Sequence, residues 1–329
     1  MRTSARIGIL LAAATITVAG AVTTATVPAH AVTTERAGPR IGVAPVLPVT
    51  LTSAGFTIPG ANPRPAGLVT FSVSAPGTQG YYWTSFKLEN GVTLQQVAQW
   101  LAEAESSDQS VALPAVRDLY GNVDFTGGLA VNGGSTMGLT MGLTPGTYYF
   151  TEAPAEPTAA GSTAGVTVDG AIAAAARALA STAPSPLQTL VVQNPVSLAL
   201  PPAFTGALVL RETGGNARYY PVGQFRGNGA FLLSNDTSQP QEANFEQVAA
   251  GTTDEQVQDY FNAALAGTTL PPDPFIAQVG GELLISPGNT VIVHTTFGPG
   301  WYCALSFPTD ENTGIKQAYE GTHIVLRMR

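Results

Sequence analysis

The stretch Pro299-Gly300-Trp301-Tyr302-Cys303-Ala304-Leu305-Ser306 decides the fold. Proline fixes φ and glycine accepts turn geometry, so the pair opens a tight turn. The aromatic and apolar run behind it reads as a strand. An earlier stretch has the same grammar: Pro145-Gly146-Thr147-Tyr148-Tyr149-Phe150-Thr151-Glu152. Each follows a Thr- and apolar-rich run, Thr136–Thr144 and Thr290–Phe297, so each pair reads as a β-hairpin closing a sheet.

Working outward, the two hairpins prove to be parts of a longer repeat. Thr93 caps a helix with Gln96 three residues on, and Leu94, Val97, Trp100, Leu101 and Ala104 follow at helical spacing. Thr253 and Gln256 repeat that capping box ahead of Val257, Tyr260, Phe261 and Leu265. Asp254 and Glu255 lie in the first turn of the second helix, where the dipole favours acids, so they read as capping residues rather than a catalytic pair. Strands precede both helices: Leu68–Ser74 and Tyr81–Leu88 in the first copy, Gly227–Ser234 in the second. Gly127-Gly128 and Gly280-Gly281 follow the helices, and Leu187–Val192 and His323–Arg327 read as closing strands. Agreement in cap, helix face and turn makes this an internal duplication. The copies are placed at 47–193 and 194–329, with a Pro-rich crossing from Asn194-Pro195 to Pro201-Pro202. The Ala-rich run after Asp169-Gly170 predicts a helical insertion near 169–181 in the first copy.

The N-terminus reads as an address. Arg2 and Arg6 open the chain, Ile7 to Val22 is apolar or small, and Ala29-His30-Ala31 fits a small-x-small cleavage site. Residues 1–31 are therefore expected to be a secretory signal peptide, and 32–46 a flexible lead-in. No later stretch reaches the roughly 20 apolar residues a bilayer-spanning helix needs, which predicts a secreted, extracellular protein. The formal net charge of −8 becomes more negative when the leader removes two arginines, and Lys87 and Lys316 are the only lysines. Such a chain lacks the basic patch that nucleic acid requires. Only 11% of residues are charged, against 36 Gly and 25 Pro, a composition of strands and turns. A single cysteine cannot close a disulfide within one chain.

Both copies resemble secreted bacterial cupredoxin-like, blue-copper-like proteins. The resemblance rests on the Gly-x-Thr-capped helix, the Pro-Gly-Thr-Tyr type hairpin, and the loop Gly314-Ile315-Lys316-Gln317-Ala318-Tyr319-Glu320-Gly321-Thr322. It implies a mainly β fold: two tandem Greek-key cupredoxin-like β-sandwiches, each with one short helix. It also implies where copper would bind, through two His, one Cys and often a Met. The first His position falls at Tyr81 and Gln241, and the Cys position at Glu152 and Ser306. In the second copy Gln317 stands for the other His and Thr322 for the Met. Each expected ligand is replaced, so no copper cofactor is expected. Cys303 lies three residues before the ligand position, an odd offset that turns a strand side chain to the opposite face. The alternative is a residual copper or electron-transfer site built from Cys303 with His294 or His323, and with Met328 as a further companion.

Other chemistry finds no motif. There is no Gly-x-Ser-x-Gly elbow, no His-Glu-x-x-His and no P-loop, and nothing in the pattern orders a Ser/His/Asp triad around His294 or His323. Asp310-Glu311-Asn312-Thr313-Gly314 lacks the alternating spacing of a Ca²⁺ loop and reads as an acidic turn. Two aromatic clusters, Tyr81-Tyr82-Trp83 and Arg218-Tyr219-Tyr220, should each turn a member outward unless another layer covers it; Tyr81, Tyr82, Trp83, Tyr219 and Tyr220 are therefore the candidate partner-binding residues. The sequence thus predicts a secreted, non-enzymatic binding or structural module without copper, facing cell-wall polymer or another secreted protein.

Overall fold

The computed structural model describes residues 42–155 and 187–329. The leader at 1–31 and the helical insertion expected near 169–181 lie outside the described residues. The first half comprises β1 (Gly42–Val43), β2 (Val46–Thr50), β3 (Arg64–Ala75), β4 (Tyr81–Leu88), α1 (Leu94–Ala104), α2 (Gln109–Asn122), β5 (Val123–Val131), β6 (Ser135–Leu143), β7 (Gly146–Pro154) and β8 (Gln188–Ser197). The second comprises β9 (Ala199–Leu200), β10 (Gly206–Thr213), β11 (Asn216–Gly223), β12 (Asn228–Asn235), β13 (Gln241–Val248), α3 (Asp254–Ala266), β14 (Phe275–Ile285), β15 (Thr290–Thr296), β16 (Gly300–Leu305) and β17 (His323–Met328).

The run strand–strand–helix–four strands occurs from β3 to β8 and again from β12 to β17. Both capping boxes form: the Thr93 and Thr253 side chains accept from the Gln96 and Gln256 backbone, and each Gln side chain answers at the cap N–H. Helix α2 is an addition that the sequence pattern hid. Pro114 sits inside it and removes one helical donor. Asp108 caps it, and burial of Ala112, Ala115, Val116 and Leu119 holds it in place.

The strands form two rows. One runs β11-β10-β12-β15-β6-β3, with β2 beside β3; the other runs β17-β16-β13-β14-β5-β4-β7-β8. The far end of β8 pairs parallel with β3 and joins the rows. Residues of both rows meet in one apolar core. Phe71 of β3 packs 5.2 Å from Trp83 of β4 and 5.4 Å from Phe150 of β7, while Phe231 of β12 packs 5.6 Å from Phe245 of β13. Helices α1, α2 and α3 cover the outer face of the second row through a separate apolar layer that includes Cys303.

Where the two runs meet, equivalent strands pair with each other. Leu139 of β6 lies opposite Val293 of β15, and Leu129 of β5 lies opposite Glu282 of β14. Each pair joins matching positions, counted from the hairpin glycines Gly146 and Gly300 and from the Gly-Gly pairs. The contact is therefore self-complementary about a local two-fold, like the interface of a symmetric dimer within one chain. The described end of the lead-in also departs from a free tether: β1 pairs parallel with β9, Gly42 opposite Ala199. The Pro-rich crossing begins as strand, because β8 continues through Ser197.

Candidate functional site

In the second half, β13, β16 and the loop before β17 bring Gln241, Ser306 and Gln317 together. All three are buried. Ser306 Oγ donates to Gln241 Oε1 at 2.9 Å, and Gln241 Nε2 donates to Gln317 Oε1. Gln241 Nε2 also reaches Thr237 Oγ1 at 3.3 Å, Gln317 Nε2 donates to the Pro240 carbonyl at 3.3 Å, and Ser306 Oγ accepts from Glu242 N–H at 3.2 Å. Thr322 is tied off separately, its hydroxyl donating to the Ala217 carbonyl at 2.9 Å. The network continues through Thr237 to Asn235, while Gln239 donates to Asp310 Oδ2 at 3.0 Å. The Asp310 Oδ1 accepts from Asn312 and Thr313 N–H, so the acidic turn's carboxylate is engaged by its own backbone and by Gln239.

These positions are the ones the family resemblance assigns to copper ligands, and the donor set does not fit the ion. Copper in such a site takes imidazole and thiolate. Two amides and a hydroxyl supply neither, and their polar atoms are engaged with one another. In the first half, Tyr81 and Glu152 occupy the corresponding strand positions, and both are buried. Burial raises the Glu152 carboxyl to about 7, and burial and Glu152 together raise the Tyr81 hydroxyl. A carboxylic acid beside a phenol fits copper no better.

The alternative set is not assembled. Cys303 is fully buried on the helix side of its strand, with Sγ 3.7 Å from the Ala304 carbonyl. Burial, then the nearby Asp254 and Glu246, push its pKa well up, which favours the thiol over the thiolate a metal needs. His323 meets Gln258 Oε1 through Nε2 at 3.0 Å and approaches Asp254 Oδ1 at 3.7 Å. His294 lies on β15, in the other row, with Nε2 3.0 Å from Thr140 Oγ1. Among the described residues no group of three His, Cys, Asp or Glu side chains could hold a metal ion.

The aromatic clusters are corrected. Tyr81, Tyr82 and Trp83 are all buried, because both faces of β4 are covered. Trp83 stacks on Phe150 at 5.2 Å, and Tyr82 packs with Ala130, Leu283 and Ala155. Tyr219 is buried too, its hydroxyl donating to the Glu242 carbonyl oxygen. Tyr220 alone of the five is exposed, beside Thr213 and Arg211.

A buried acid at the two-fold escaped the sequence reading. Glu282 is fully buried opposite Leu129, and its two carboxyl oxygens make no hydrogen bond of normal geometry. Burial and Glu242 drive its pKa well up, and the Ala243 and Gly128 backbone offsets this only in part. The signal was Glu within Gly-Gly-Glu-Leu-Leu-Ile, an acid in an apolar strand.

These acids set a pH dependence. Burial raises Glu246 from 4.5 to about 7, with Asp273 adding to the shift. A raised folded-state pKa means that the folded chain binds the proton more tightly. Its stabilisation is complete below the ordinary carboxyl range and is lost as pH rises through about 7. For Glu246 the shift corresponds to about 3 kcal/mol at most. Melting temperature should therefore fall between pH 5 and pH 8, and Glu246→Gln should flatten that slope. A melting temperature that rises toward pH 8 would contradict the assignment.

No protein-family model and no curated protein matches the chain. Among solved structures it is similar to Na-dithionite reduced auracyanin from the photosynthetic bacterium Roseiflexus castenholzii, at 16% identity over 37% of this chain and 94% of that one, with a TM-score of 0.22. It is also similar to copper nitrite reductase from Nitrosomonas europaea, at 11% identity over 88% and 94%, with a TM-score of 0.22. The blue copper oxidase of Nitrosomonas europaea gives 12% over 88% and 86%, with a TM-score of 0.18. Likeness at TM-scores this low carries no argument about this chain. The chain is mainly β, its strands packed in two rows around one apolar core. Two of these neighbours carry the names of enzymes, so the expectation of a non-enzymatic chain finds no support in them and is withdrawn. No helix among the described residues is long and apolar enough to cross a membrane.

Proposed function

We propose that this chain is a secreted pair of cupredoxin-like domains, 47–193 and 194–329, whose copper positions have been rewritten as structural hydrogen bonds. It acts as a binding or structural module at or outside the cell envelope. The observation that carries this reading is the trio Gln241, Ser306 and Gln317, gathered at the ligand positions and bonded to one another. A buried polar network satisfied in this way rigidifies a core and specifies its geometry. The signal-like leader at 1–31 supports export, and the acidic balance of the chain favours cell-wall polymer or a secreted protein over nucleic acid as partner.

The test is copper itself. Purified protein titrated with Cu²⁺ and then dialysed should retain no stoichiometric copper and show no thiolate charge-transfer band. Cys303→Ala should leave that result unchanged and lower stability by about 1 kcal/mol through lost packing. Copper retained by the parent and lost in Cys303→Ala would overturn the reading.

A further inference from the structure

On the outer face of the first row, across the local two-fold, lies a cavity of about 540 Å³. Its floor includes Thr70 and Ser72 of β3, Gly138 of β6, Ala230 of β12 and His294 of β15. Val43, Ala44, Val46, Pro202 and Ala203 line it from the two connecting segments. That volume lies within the range of small-molecule sites, about 300–1,000 Å³.

The lining chemistry is selective. Among the described residues no Asp, Glu, Lys or Arg contributes to it. A charged ligand would give up its hydration and meet no opposite charge, a cost that a neutral molecule avoids. Ser72, Thr136, Asn228, Thr295 and Thr296 share the polar lining with a relay that runs through Thr140 beneath it: Thr70 Oγ1 lies 2.7 Å from Thr140 Oγ1, which lies 3.0 Å from His294 Nε2. Burial lowers the His294 pKa and favours the neutral ring. With Nε2 engaged by Thr140, the ring's second nitrogen is left to a ligand, as donor in one tautomer and acceptor in the other. A hydroxyl complements either state. Gly138 is what lets the imidazole stand there, since a Cβ at that position would come within 3.0 Å of His294 Cβ and 3.2 Å of its ring. The two-fold partner of His294 is Thr140, so the ring and the hydroxyl that holds it occupy matching positions of the two runs.

We propose that this cavity binds a small, uncharged, largely apolar molecule carrying an alcohol or phenol hydroxyl, held by His294. The test titrates the full chain, labelled at histidine, with 2-phenylethanol, phenylacetate and 2-phenylethylammonium, reading the imidazole NMR signals. The alcohol should shift the His294 signal saturably and leave His323 unmoved, and the two charged probes should bind at least about tenfold more weakly. His294→Phe should weaken alcohol binding about tenfold, read from the ligand's own signals. Ala230→Leu, which fills the floor and keeps the histidine, should weaken it likewise and serves if the first variant does not fold. No saturable shift at His294, or equal responses to all three probes, would overturn the proposal.

Discussion

Replacing Gln241 and Gln317 by histidine and Ser306 by cysteine is expected to create a chain that retains one copper after dialysis and shows a strong thiolate charge-transfer band. The parent should do neither. The expectation follows from convergence: the three side chains already touch in one buried place, held by two strands and a loop. Imidazole and thiolate at those positions supply the soft donors that two amides and a hydroxyl lack. Without metal the variant should be less stable than the parent by about 1–3 kcal/mol, because the mutual hydrogen bonds are gone and their buried backbone partners remain. Added copper should restore that loss, since a ligand bound only by the folded state stabilises it by mass action. Calorimetry with and without Cu²⁺ reads both effects. A well-folded triple variant that retains no copper would contradict the placement of these residues at a metal-shaped site.

Gly281→Ala should be as damaging as any single methyl group can be in this fold. A Cβ at Gly281 would lie 2.3 Å from the Ala243 carbonyl oxygen and 2.6 Å from the Asn244 Cα. Both are backbone atoms of the neighbouring β13, so no side chain can swing aside. The first half repeats the arrangement, with a Cβ at Gly128 falling 2.4 Å from the Trp83 carbonyl oxygen. The glycines are therefore a packing requirement where β14 lies against β13 and β5 against β4. Relieving the clash means moving strands, so the expected loss is about 3–5 kcal/mol or failure to accumulate folded protein. Denaturant unfolding measures it. Gly142→Ala is the control: a Cβ there meets nothing within 4 Å, and stability should be nearly unchanged. Equal effects at the two positions would contradict the packing account.

Local features were legible in the sequence because local chemistry dictates them. Pro-Gly turns, the Thr-Gln capping boxes and the closing strands all fall where their residues place them. Features set by distant partners were not. Nothing within Tyr81-Tyr82-Trp83 says that both faces of its strand are covered, and the covering residues include Phe71, Phe150 and Leu283. Helix α2 was hidden by Pro114, since burial of its apolar face outweighs one lost donor. At the candidate site, Gln241, Ser306 and Gln317 look like ordinary surface residues, and only the family resemblance aligned them. Their mutual bonding is a tertiary fact, as is the meeting of equivalent strands around Leu139 and Leu129.

Under the proposed reading, the positions that the family resemblance assigns to copper ligands form a closed, hydrogen-bonded cluster, and side-chain amide NMR tests this most directly. The Gln241 and Gln317 NH₂ groups should exchange slowly with solvent and show contacts to each other, and Ser306→Ala should shift the Gln241 resonances. Amides exchanging at the rate of exposed glutamines, with Gln241 indifferent to Ser306→Ala, would contradict the account.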